Sequence, residues 1–243
     1  MNLVEDQPAH GSTFADPVSL PDTKPRNTRA AILKASRDLF NQEGFGNTSI
    51  AMICARAQIM AGNLTYYFPK KRDIVLAMKD EFDAEIGALQ GGLHAEMLAG
   101  VRMPSATETH RLLRAMLEII WNNRFFFISM MSLHRLDGSI IVAFRHVEQQ
   151  ARIGLSLLIQ RGINDHAIQP LRYPNSASAL ADNIWYLMWS CMFFQKARDK
   201  DLEPHKSAVI ATCLMQLGAM IEPIVPPEFI AEYCRSVTVG DQA

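Results

Sequence analysis

The sequence lacks most of the features by which enzymes, secreted scaffolds and membrane proteins are recognised. It has four cysteines, Cys54, Cys191, Cys213 and Cys234, and none pairs with another at metal-ligand spacing. Neither a disulfide framework nor a zinc site is therefore expected, and the thiols read as reduced core residues of a cytoplasmic protein. The longest apolar run, residues 184–194, falls short of the roughly 20 residues a helix needs to cross a bilayer. The N-terminal segment has neither the basic start nor the apolar centre of a secretory leader. There is no Gly-rich phosphate loop, no nucleophile elbow and no pair of histidines one helical turn apart. His134, His146 and Glu148 come nearest to a metal cluster, at the wrong spacing. No catalytic residue, cofactor, metal or membrane partner is expected. No stretch alternates polar and apolar as a half-buried strand would, so the expected fold is all-α.

Net charge is also nearly absent, −1 over 243 residues, but it is unevenly divided. Residues 1–23 carry −4, residues 24–80 carry +6, and residues 81–243 carry −3. A basic segment on a neutral-to-acidic body is what a small DNA-binding head on a larger domain requires. Residues 1–23, rich in Pro, Asp, Ser and Gly and without periodicity, read as a disordered tail. Lys24, Arg26 and Arg29 follow it, either as an arm that reaches DNA or as a solvated basic start.

The most informative stretch is residues 48–73. Thr48 is placed to cap a short helix, and Ile50, Ile53, Cys54 and Ala57 recur at helical spacing as its apolar stripe. The chain turns after Gln58. A second short helix buries Leu64 and Phe68, four apart, and leaves Asn63, Thr65, Tyr66 and Tyr67 outward. Pro69 ends it, and Lys70, Lys71 and Arg72 follow. A polar-aromatic helix face with a basic end suits the major groove, where it can reach base edges and grip phosphate.

Residues 28–74 resemble the helix-turn-helix domain of the TetR/AcrR family of bacterial transcriptional regulators. The likeness rests on Asp38-Leu39-Phe40-Asn41-Gln42-Glu43-Gly44-Phe45, then Thr48-Ser49-Ile50, Ile53, Ala57, Gly62-Asn63-Leu64, Tyr66, Phe68, Lys71 and Ile74. The chain departs from the family pattern at Gln58, where Gly is usual, at Met60, where Ser or a similar cap is usual, and at Ala51 and Met52, where polar residues are common. The resemblance implies DNA contacts from Thr48, Ser49, Ala61, Gly62, Asn63, Thr65, Tyr66, Tyr67 and Lys71.

The rest of the chain reads as further helices. One spans about residues 71–98, with Gly91-Gly92 as either a kink or an earlier end; one spans about 107–122 with Leu113, Met116, Leu117 and Ile120 on a single face. A very apolar segment, 121–131, precedes a long helix from 139 to a Gly162 stop; helices over about 176–198 and from about Pro204, suited to a first turn, to 220 follow, then a short one over 228–235. The expected organisation is a tail at 1–23, a helix-turn-helix domain at 24–70, a helical effector-binding and dimerisation domain at 71–235, and a flexible C-terminus at 236–243.

The helix over 176–198 is apolar nearly all round, so it must cover two surfaces. The expectation is a homodimer in which it and the next helix pack on their twofold mates through Leu187, Met188, Cys191, Val209, Cys213 and Leu217; a larger intramolecular core is the other reading. The aromatic and Met cluster of Trp121, Phe125, Phe126 and Met130, with Trp185 and the polar His134 and Arg145, is either a ligand pocket or plain core. The expected function is a homodimeric, ligand-responsive transcriptional regulator, a repressor released from a near-palindromic DNA operator by a small, largely apolar effector. The alternative is a constitutive DNA-binding or assembly module whose body takes a protein partner.

Overall fold

The computed structural model describes residues 25–98, 103–172, 174–198 and 205–240. The expected N-terminal tail, and residues 241–243, lie outside the described residues. Within them the chain is helical with no strand: α1 Pro25–Glu43, α2 Ile50–Ala57, α3 Ala61–Tyr67, α4 Lys71–Leu98, α5 Ala106–Asn122, α6 Phe125–Ile128, α7 Met130–Leu136, α8 Gly138–Asn164, α9 Ala177–Arg198, α10 Lys206–Ile221, a 3-10 turn Glu222–Ile224, and α11 Pro227–Gly240.

The first three helices close around Ile32, Phe40, Ile53 and Leu64, each at most 1% exposed. Gly44 ends α1 at φ +85°, a left-handed position that favours glycine, and its amide returns to the Phe40 carbonyl at 3.1 Å. Ser49, not Thr48, caps α2: its hydroxyl accepts the Met52 amide at 3.2 Å. The Thr48 hydroxyl instead donates to the Gly44 carbonyl at 3.0 Å. Gln58 takes the left-handed conformation at φ 55° in the turn between α2 and α3, an uncommon state for a side chain with a Cβ.

α4 runs unbroken through Gly91-Gly92. Each glycine there costs the helix about 1 kcal/mol relative to alanine. α5 opens on a capping box, in which Ser105 and Glu108 satisfy each other's backbone amides. α8 does not stop at Gly162 but passes it to Asn164. Gly162 is buried, and a Cβ there would lie 2.5 Å from Ile168 Cδ1, so it serves close packing rather than helix termination. α11 is longer than expected and reaches Gly240, so residues 236–240 are helical.

In the body, α5 packs on α10 and α11, and α8 on α9. The segment Lys206–Ile224 is long and apolar enough to cross a membrane; here Val209, Ile210, Cys213, Leu214 and Leu217 of α10 are buried in the bundle core. α10 and α11 meet at Gly218, where an added Cβ would lie 2.9 Å from Tyr233 Cε1. Tyr233 is fully buried and donates its hydroxyl to the Leu214 carbonyl at 3.0 Å; burial holds its phenol above the ordinary range.

Candidate nucleic-acid face and apolar cavity

The exposed surface of the three-helix head centres on α3. Ala61, Gly62, Asn63 and Thr65 are exposed, Tyr66 is 82% exposed, and Tyr67 is half-buried with its ring edge-on to Tyr66 at 5.1 Å. Leu64 and Phe68 anchor the helix beneath. Ser49 is exposed at the start of α2. This is the arrangement expected of a recognition helix: one apolar side holds it to the head, and amide, hydroxyl and phenol groups face outward. The α3 N-cap, Met60, makes no side-chain cap hydrogen bond and is 68% exposed. With Met52 at 36% exposure it adds an apolar margin to the face, suited to thymine methyl groups.

Two of the expected contact residues are engaged within the head. Thr48 is only 2% exposed, because its hydroxyl satisfies the end of α1. Lys71 is half-buried: its ammonium donates to the carbonyls of Phe45 and Thr48 and lies 4.0 Å from the centre of the Phe45 ring. Desolvation holds its pKa below the ordinary lysine value. Its geometry fastens the loop between α1 and α2 to α4, whereas the adjacent Lys70 is exposed.

Head and body meet at α6. Asn41, 7% exposed on α1, donates through Nδ2 to the Asn122 carbonyl at 2.7 Å and accepts the Phe125 amide at 2.9 Å. The Phe40 and Phe125 rings lie 5.3 Å apart, and the Phe45 amide donates to the Ser129 hydroxyl at 3.4 Å. On the other side Arg72 of α4 forms an ion pair with Asp137, the N-cap of α8. Hydrogen bonds from Ser139 first, then Arg72, hold the Asp137 carboxyl down at about 2.

The expected pocket around the aromatic cluster is not a cavity of ligand size. Phe125 and Phe126 are fully buried and Trp121 is 8% exposed, because they cement α6 to α1 and α4. His134 and Arg145 are exposed, and Met130 is half-buried. Trp185 does border a cavity, with Phe82, Phe127, Phe144 and Trp189 among its walls, but this holds only about 20 Å³, near the volume of one water.

A larger cavity of about 260 Å³ lies in the body. α5 contributes Thr109, Leu112 and Leu113; α8 contributes Leu155, Leu158 and Ile159; α9 contributes Leu180 and Ile184; α10 contributes Leu217 and Ile221. Met103, Ile168, Ile224 and Phe229 help to close it. Thr109 is the one hydroxyl-bearing residue among the described lining. The sequence held no signal that separates these side chains from ordinary core, since both are aliphatic and helical in period.

The expected dimer residues point inward. Met188 and Val209 are 2% exposed, Leu217 1% and Cys213 0%; Leu187 and Cys191 are half-buried. The outer face of α10 carries Ala208, Thr212, Met215 and Ala219, all exposed, and α9 presents Tyr186 at 55%. Among the described residues no group of His, Cys, Asp and Glu is placed to hold a metal.

Residues 32–78 match the family described as bacterial regulatory proteins, tetR family, and residues 93–233 match the family described as bacterial transcriptional repressor. No curated protein matches the chain significantly. Among solved structures, the chain resembles a TetR-family transcriptional regulator from Marinobacter aquaeolei VT8, with a TM-score of 0.70 and 22% identity over 88% of this chain and 97% of that one. It also resembles the TetR family protein CprB from Streptomyces coelicolor, solved in complex with its biological operator sequence, with a TM-score of 0.62 and 20% identity over 90% and 98%. A third likeness is to a transcriptional regulator from Saccharomonospora viridis in complex with choline, with a TM-score of 0.59 and 17% identity over 83% and 99%.

Proposed function

The chain belongs to the TetR family of bacterial transcriptional regulators, DNA-binding proteins rather than enzymes, and on that footing we propose that it is a homodimeric repressor released from a near-palindromic operator by a small, uncharged, largely apolar effector. The observation that carries this is the 260 Å³ cavity, walled by five helices, with aliphatic side chains and the Thr109 hydroxyl. A charged ligand would lose its hydration there without a partner, whereas a hydrocarbon body with one polar group suited to Thr109 would not. The relatives solved with operator DNA and with choline support the general scheme; the aliphatic lining argues for a different effector from choline.

The recognition surface is Ser49, Ala61, Gly62, Asn63, Thr65 and Tyr66, with Lys70 on phosphate. The dimer forms through the outer faces of α9 and α10, where small residues such as Ala208 and Ala219 let two helices approach closely. A twofold dimer holds its recognition helices about one DNA turn apart, roughly 34 Å, and tolerates little error in that spacing. α5 carries the effector's influence: its N-terminal half lines the cavity at Thr109 and Leu113, and its C-terminal end presents the Asn122 carbonyl to Asn41 of the head. An effector shifts the protein only as far as it prefers one spacing to the other.

The test is to titrate apolar candidates, alcohols and esters of increasing chain length among them, against free protein and against the protein–operator complex. An effector must bind free protein more tightly by the factor by which it lowers DNA affinity. Equal affinity for both, or no ligand at all with operator binding intact, would leave a constitutive DNA-binding protein.

A further inference from the structure

The cavity lies at the end of the body remote from the head. Its lining comes from the first turns of α5, α9 and α11 and from the last turns of α8 and α10. The head is met at the opposite ends of two of these helices, by Asn122 at the close of α5 and by Asp137 at the start of α8. Thr109 and Asn122 are separated along α5 by ~20 Å, at about 1.5 Å per residue. The connectors before α5, after α8 and after α10 supply Met103, Ile168 and Ile224 to the wall.

The connector after α8 turns back over the helix it leaves. His166 takes the left-handed conformation at φ 58°, where a helix-capping glycine usually stands. Beyond it the amides of Ala167 and Ile168 both donate to the Gly162 carbonyl at 2.9 Å, and the Gln169 amide donates to the Ile224 carbonyl at 2.8 Å. The backbone at Ile168 is therefore tied to α8 on one side and to the turn after α10 on the other, and its side chain lies on Gly162.

Gly162 leaves no spare room. A Cβ there would lie 2.5 Å from Ile168 Cδ1, 2.8 Å from Ile168 Cγ1 and 3.0 Å from Met103 Cε. The first two distances are shorter than real Cβ contacts, so a neighbour would have to move. Because the Ile168 backbone is held at both sides, the movement falls on side chains, and Ile168 and Met103 are both part of the cavity wall.

We infer that Gly162 is a specificity-determining residue that sets how long an alkyl chain the cavity accepts. Its missing Cβ lets Ile168 and Met103 withdraw against α8; any larger residue pushes them toward the space they line. The inference rests on the effector reading above and narrows its chemistry, since a wall of aliphatic side chains with one hydroxyl, at Thr109, takes an alkyl chain that carries a single polar group.

The experiment titrates straight-chain alcohols, from 1-hexanol to 1-tetradecanol, into the full-length protein by calorimetry. In wild type each added methylene should tighten binding about fourfold until the chain fills the cavity, after which affinity levels off. Gly162→Ala should level off at least one methylene earlier, so that the longest chain wild type accepts binds about fourfold or more weakly while short alcohols stay within about twofold. Ile168→Ala should level off later. In that background Gly162→Ala should change little, because the Ile168 atoms it would meet are gone. Should Gly162→Ala alone not fold, the double variant should, and Ile168→Ala still has to lengthen the accepted chain. A uniform loss at every length, or a break that stays in place in both single variants, would overturn the role of Gly162 and leave the effector cavity standing. A wild-type protein that binds none of these alcohols would overturn both.

Discussion

Asn41 accepts the backbone amide of Phe125 at 2.9 Å, across 84 residues of chain. Its Nδ2 donates at the same time to the Asn122 carbonyl at 2.7 Å, so one side-chain amide satisfies both sides of the break between α5 and α6. Because Asn41 lies on α1 and α5 lines the cavity, this amide joins the helix-turn-helix head to the helical body that holds the cavity. A buried polar group in such a place must be matched, since an unpaired amide or carbonyl costs about 1–3 kcal/mol.

Replacing Asn41 with Leu is therefore expected to destabilise the protein by about 1–3 kcal/mol, through the unpaired Phe125 amide and Asn122 carbonyl. It should also weaken the link between effector and operator. Urea denaturation reads the first effect, and operator affinity with and without ligand reads the second. A variant that loses stability but keeps the full ligand response would remove Asn41 from the signalling route.

On the DNA face, Tyr66→Ala should reduce discrimination between operator and random duplex; a good base contact contributes roughly 1–3 kcal/mol. Lys70→Ala should weaken all duplexes alike and lower the salt slope by about one unit. Lys71→Met should behave differently from both: the head loses its bonds to the Phe45 and Thr48 carbonyls, so thermal stability falls. Fluorescence anisotropy over a salt series, together with melting curves, separates the three.

In the cavity, Leu158→Phe adds volume to a wall residue and should abolish effector binding while operator binding stays within about twofold of wild type. Thermal shift with ligand measures this directly, since a bound ligand raises stability with the ratio of its concentration to Kd. An unchanged ligand-induced shift would place the effector elsewhere.

At the dimer face, Met215→Arg should yield a folded monomer, because Met215 is 47% exposed and its replacement can remain hydrated before association. Leu217→Arg should unfold the protein, because an uncompensated charge at a position 1% exposed has no partner. Sedimentation and circular dichroism distinguish the outcomes; a Met215→Arg dimer would exclude the α10 outer face.

Asp137 makes a prediction in pH. Its carboxyl is held at about 2, against an ordinary value of 3.8. A depressed folded pKa contributes stability that is fully present above the unfolded value and is lost as pH falls through the folded one. The Arg72 pair and the α8 cap should therefore weaken between about pH 4 and pH 2. Asp137→Asn should flatten that part of the acid denaturation profile relative to wild type.

The sequence by itself determined the helical class, the extents of α1 to α5 within a few residues, and the chemistry of the α3 face. Those features are local: a period of 3.6, Pro69 after Phe68, Gly44 after Glu43, and the outward placement of Asn63, Thr65 and Tyr66 follow from neighbours in the chain. Only the tertiary structure decided between residues of equal apolarity. Phe126 and Leu158 are both apolar residues in helical segments, yet one cements α6 and the other lines a cavity. The same holds for Thr48 and Ser49, adjacent hydroxyls of which one is buried and one caps α2, and for Leu217 and Met215, of which one is core and one is surface. Whether an aliphatic or hydroxyl side chain meets another atom, a void or solvent depends on how distant helices cross, and hydrophobic burial is non-directional, so a linear pattern carries no record of it.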